Sequence, residues 1–109
     1  MHHIRIQHIK AYLTEQFNLP GEQIDMLLPS FIATLGTHMQ NLERALHENN
    51  PASIGKVGHT IKGAFLNLGL KDCADIALCI EEMGKTGDHA ADYKQLVEDL
   101  RCKINSVLE

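Results

Sequence analysis

Asn50-Pro51-Ala52-Ser53-Ile54-Gly55-Lys56-Val57-Gly58-His59-Thr60-Ile61-Lys62-Gly63-Ala64-Phe65-Leu66-Asn67-Leu68-Gly69 decides the reading of this chain. Asn50 is a good helix N-cap and Pro51 suits the first helical position, where its missing N–H is no loss. Gly69 suits the residue just past a helix end. The punctuation therefore predicts a helix from about Pro51 to Leu68. At about 100° per residue, Ile54, Val57, Ile61, Ala64, Phe65 and Leu68 share one side. They form the core stripe of the helix. His59 falls nearly opposite the middle of that stripe, so its imidazole points to solvent.

Working outward, the same 3.6-residue period recurs on both sides. Upstream, Phe31, Leu35, Met39, Leu42 and Leu46 make a stripe, with Pro29 as a kink or as the helix start. Before it, Ile6, Ile9, Leu13 and Phe17 outline a short N-terminal helix of about residues 3–17, closed by Asn18-Leu19-Pro20-Gly21. Downstream, Cys73, Ile76, Ala77, Ile80 and Met83 make the next stripe, with Gly84 and Gly87 read as its breakers. Tyr93, Leu96, Val97, Leu100, Ile104, Val107 and Leu108 make the last, with Asp88 as its expected N-cap. Strand alternation is missing throughout. Short links between long amphipathic helices favour antiparallel neighbours. The expected fold is all-α: an up-down antiparallel four-helix bundle over about residues 22–108, with the short N-terminal helix packed across it. The 109 residues make one domain.

Composition narrows the function. The formal charge is −4 and aromatic residues are 5% of the chain, with no Trp. A nucleic-acid binder needs a basic face and stacking platforms, so that class is excluded. No apolar run reaches the roughly 18 residues of a membrane span. The first residues hold no apolar signal core. Cys73, Cys79 and Cys102 are an odd number and read as reduced, buried thiols. The expected setting is the cytoplasm. The seven histidines raise the question of metal. His3 with the amino terminus could chelate Cu(II), as could any chain with His at position three. No pair of Cys or His stands at zinc spacing, so no metal site is expected. Neither a phosphate-binding loop nor a catalytic triad stands out, and independent enzyme activity is not expected.

The chemistry gathers around His59. Gly55 lies four residues before it and Gly63 four after. Each internal helical glycine costs about 0.5–1 kcal/mol relative to Ala. Clearance for a second protein's surface would account for both. Lys56 and Lys62, three residues to either side, bring ammonium groups within reach. Leu66 adds apolar surface. Imidazole is nucleophilic near neutral pH. Flanked by cations and approachable, it suits the acceptance and release of a phosphoryl group, whose nearly two negative charges the lysines would offset.

His59-Thr60-Ile61-Lys62-Gly63, continued by Ala64-Phe65-Leu66-Asn67-Leu68-Gly69-Leu70, resembles the histidine-containing phosphotransfer (HPt) domain family. That family's motif is His-x-x-Lys-Gly with Leu-Gly some residues on. Ile80-Glu81 resembles a Leu-Glu pair of the next helix. Phe31 and Leu42 match apolar positions before the motif. The resemblance runs from about Phe31 to the C-terminus. It implies that His59 is the phosphoacceptor, Lys62 steadies the phosphoryl group and Gly63 gives partner access. Glu81 falls where a residue orients the imidazole through its other nitrogen. Family members commonly carry Gln there, Ser where this chain has Ala64, and Ala where it has Gly58. The implied partner is the receiver domain of a response regulator or hybrid sensor kinase. That receiver supplies Mg²⁺, so no cofactor is expected on this chain. Gly55, Lys56 and Leu66 are the expected docking residues, and the chain is expected to be a monomer. A different class also fits the helices: a four-helix adaptor that binds a protein partner without phosphorylation, in which the glycines serve packing.

Overall fold

The computed structural model describes residues 6–87 and 92–108, without the side chains of 106–108. The described residues form five helices and no strand: α1 (Ile6–Phe17), α2 (Gly21–Glu48), α3 (Pro51–Asn67), α4 (Lys71–Lys85) and α5 (Tyr93–Leu108). The start of the N-terminal helix near residue 3, the His3 chelate and the Asp88 cap lie outside the described residues.

Local chemistry explains the boundaries. The Asn50 side chain accepts the N–H groups of Ala52 and Ser53, at 3.0 and 3.4 Å, with Pro51 first in α3. Gly69 has φ +73°, and its N–H bonds the Leu66 carbonyl at 3.2 Å. α2 starts before Pro29 and runs through it to Glu48, and Asn49 caps its end with φ 55°. α5 is described from Tyr93. Asp92 takes the capping role, its carboxylate accepting the Gln95 N–H at 3.1 Å. Two aspartates suited to capping stand four residues apart, and local sequence does not choose between them.

α3 packs most closely on α4. α2 lies against α3 and α5, α4 against α5, and α1 against α2. The stripes meet in one core. Ile54, Ile61 and Phe65 of α3, Leu35, Met39 and Leu42 of α2, Cys73, Ala77 and Ile80 of α4, and Val97, Leu100 and Ile104 of α5 are all buried. Each large side chain removed from water contributes about 1.5–3 kcal/mol. α1 adds Ile9 and Leu13, both fully buried, whereas Ile6 and Phe17 from the same expected stripe are exposed. Only the middle of the helix reaches the shared core. An exposed Lys10–Asp25 pair at 2.6 Å links α1 to α2.

The cysteine expectation needs correction. Cys73 is buried, and burial pushes its thiol up to about 11. Cys79 and Cys102 are exposed. Each lies outside the buried stripe of its own helix, so its small apolar character has no core to join.

Candidate functional site

α3 presents His59 on its outer face with the side chain 66% exposed. Directly across the α3–α4 seam stands Glu81, whose side chain is 3% exposed. A buried carboxylate is stable only when paired and hydrogen-bonded. Glu81 has three partners. His59 Nδ1 lies 2.9 Å from its Oε2, Lys62 Nζ donates to Oε1 at 2.7 Å, and Lys85 Nζ lies 3.0 Å from Oε2. The lysine hydrogen bonds, with the His59 contact, hold the carboxyl at about 2, well below the usual carboxylate range, against the opposing effect of burial.

Ionised Glu81 fixes the tautomer of a neutral His59. A carboxylate accepts hydrogen bonds only, so Nδ1 carries the proton and donates it. The lone pair then resides on Nε2, the nitrogen away from Glu81. A carboxylate beside a phosphoryl acceptor would by itself repel phosphate. Here two ammonium groups outweigh it.

Glycines set this geometry. A Cβ on Gly58 would stand 3.1 Å from the Glu81 backbone nitrogen and 3.1 Å from Ile80. A Cβ on Gly84 would stand 2.5 Å from Gly55 Cα. The two helix backbones touch along Gly55, Gly58 and Gly84, the close approach that glycine permits. That contact brings the short Glu81 side chain to the imidazole.

The expected site residues therefore divide. His59 and Lys62 each lie within hydrogen-bonding distance of Glu81. Lys56 is exposed beside them and lines an open groove of about 620 Å³ with Ala52, Gly55, His59, Thr60, Glu81, Gly84 and Lys85. Gly63 has nothing within 4 Å of a Cβ added to it, so it leaves open space one turn beyond His59. Leu66 is half exposed further along the same helix. Gly55 differs from the sequence expectation. It is buried against α4, and the absence of its side chain serves helix packing as well as the groove floor. Gly84 is likewise inside α4 and packed, not a breaker; the left-handed residue after the helix is Gly87, φ +71°.

Three residues escaped the sequence reading. Lys85 stands four residues after Glu81, the spacing of a helical ion pair, and pairs with it. Gly58 and Gly84 are packing glycines, and together with Gly55 they form a pattern that could have marked a close helix contact. Among the described residues no group of three or more His, Cys, Asp or Glu could hold a metal ion. No helix among them is long and apolar enough to cross a membrane.

An exposed imidazole, oriented by a buried carboxylate and flanked by ammonium groups on a helical bundle, defines a histidine-presenting helical domain. The sequence model of the Hpt domain family matches residues 26–106, and the chain belongs to that family. Hpt domains serve generally as histidine phosphotransfer modules of phosphorelays, as phosphocarriers and not as catalysts, and they interact with receiver domains. Searches of curated proteins and of solved structures gave no significant match.

Proposed function

We propose that this chain is a phosphocarrier of a multistep phosphorelay, in which His59 takes a phosphoryl group from the aspartate of one receiver domain and passes it to the aspartate of another. The observation that carries the reading is the outward imidazole whose Nδ1 is held by buried Glu81 at 2.9 Å. The helices α2–α5 form an up-down antiparallel bundle that displays it, and the domain works as a monomer in the cytoplasm.

The Nε2 lone pair attacks the phosphorus of the aspartyl phosphate. The P–O bond to the aspartate breaks, and its electron pair leaves on the carboxylate. The ring keeps its Nδ1 proton and becomes a phosphorylated imidazolium, whose positive charge lies against Glu81. In the return step the second aspartate attacks phosphorus, the P–N bond breaks, and the ring leaves as neutral imidazole. No proton has to move at either step, because Glu81 holds it on Nδ1 throughout. Lys62 steadies the phosphoryl group, Lys56 adds positive charge at the groove, and Gly63 and Leu66 give the receiver room and apolar contact. The receiver brings Mg²⁺. Its docking area is near or below about 1,200 Å², the range of transient encounters.

The test is phosphotransfer from a panel of phosphorylated receiver domains with Mg²⁺, beside His59→Gln. Acid-labile, base-stable label on the wild type alone supports the reading. Receiver binding without label, retained by His59→Gln, supports the adaptor class instead.

A further inference from the structure

The Glu81 carboxylate is held by more cations than its own charge requires. Lys62 occupies Oε1, while Lys85 shares Oε2 with the His59 ring. Resting on the phosphocarrier reading above, the geometry points to Lys85 as a positioning residue: it retains Glu81 so that Lys62 can turn from the carboxylate to the phosphoryl group on His59.

A phosphoryl group on Nε2 brings close to two negative charges beside a carboxylate that cannot move away. Both ammonium groups nearest the ring already hold Glu81. Were Lys62 the sole cation there, its departure would leave a carboxylate 3% exposed with the ring N–H alone. Removing one partner of a buried ion pair is strongly unfavourable. Lys85 removes that penalty. Which lysine moves follows from placement. Lys62 rises from α3 one turn after His59 and sits on the oxygen that the ring does not touch. Lys85 follows Glu81 by four residues on α4, and its side chain, 70% exposed, reaches back to Oε2. Lys56 lines the groove from the other side of His59 and supplies an internal control.

Potassium phosphoramidate tests this without any partner protein. The Nε2 lone pair attacks its phosphorus, the P–N bond breaks, and the nitrogen leaves as ammonia. Phosphohistidine formation is followed by ³¹P NMR, and the lysine ammonium groups by ¹⁵N NMR. Lys62→Ala and Lys85→Gln should each slow the reaction roughly two- to fivefold. The double variant should be slowed by less than the product of the two single effects, because Lys85 acts largely through Lys62. Lys85→Arg should restore the rate. Lys56→Gln should instead multiply with Lys62→Ala, as an independent charge does. In the wild type the Lys62 resonance should move on phosphorylation while that of Lys85 stays. Circular dichroism checks that each variant keeps its helices.

An unchanged rate in Lys85→Gln, a multiplicative double variant, or a Lys62 resonance that stays still would overturn the inference, while label taken from a phosphorylated receiver by the wild type and not by His59→Gln upholds the phosphocarrier reading. A wild type that takes no phosphoryl group from phosphoramidate or from any phosphorylated receiver would overturn both.

Discussion

The α3–α4 seam and the α2–α5 seam belong to one bundle and are built by opposite means. Along α3–α4 the backbones touch through Gly55, Gly58 and Gly84, and the space between the helices holds a carboxylate and its cations. Along α2–α5 the helices contribute Leu35, Met39, Leu42, Val97, Leu100 and Ile104 to the core, and a Glu43–Arg101 ion pair joins them. The first seam is set by backbone, which does not rotate; the second by side chains, which repack. The groups that must hold hydrogen-bonding geometry stand on the first, and large apolar side chains fill the second.

Substitutions can probe that division. Leu42→Ala, at a fully buried α2 position, should destabilise by about 2–5 kcal/mol in denaturant titration. The phosphorylation rate of the remaining folded protein should be unchanged. A rate loss would mean that the two seams are not separable.

Gly84→Ala should destabilise by about 1–3 kcal/mol, because its methyl would meet the Gly55 and Pro51 backbone. Ala is otherwise the better helix former by about 1 kcal/mol. Stabilisation by this change would show that α3 and α4 can part without loss, and the seam would then not be set by backbone. Slower phosphorylation should accompany the loss of stability, since Glu81 moves with α4.

Acid should act on the same seam. Glu81 is held at about 2 in the folded protein, against an ordinary value of 4.5. At pH 3–4 the unfolded chain therefore binds more protons than the folded one, and stability falls as pH falls. The contribution is fully present above about 4.5 and lost as pH approaches about 2. Glu81→Gln should flatten that part of the stability profile, measured by thermal unfolding from pH 6 to pH 2.

Gly63→Ala should give the smallest effect and the opposite sign, a gain of about 0.5–1 kcal/mol, because its site opens to solvent. A loss would place Gly63 with the packing glycines and leave partner access without its glycine.

The sequence shows the second seam well and the first poorly, for physical reasons. Apolar stripes at helical period report burial directly, so the cores of α2, α3, α4 and α5 are legible from residues such as Leu42, Phe65, Ile80 and Leu100. His59 is legible too, since its angle from the α3 stripe requires exposure. Glycine carries no such signal. Gly55 and Gly63 are both four residues from His59 and read alike, yet one touches α4 and the other faces open space. Which is which depends on the neighbouring helix. Lys85 was hidden for a related reason. Its spacing from Glu81 is visible, but an ion pair matters little unless the acid is buried, and the burial of Glu81 follows from Gly58.

Tyr12 has its ring against Gly69, where a Cβ would stand 2.4 Å from the ring, and its hydroxyl lies 3.4 Å from the Leu66 carbonyl. The family match begins at residue 26, inside α2 and after α1 has ended. The unit of homology and the unit of cooperative folding are therefore not the same length. A chain trimmed to the match would lose Ile9, Leu13 and Ile24 from the interior and uncover the turn that joins the two site-bearing helices. Assays made on such a fragment would report on a partly opened domain.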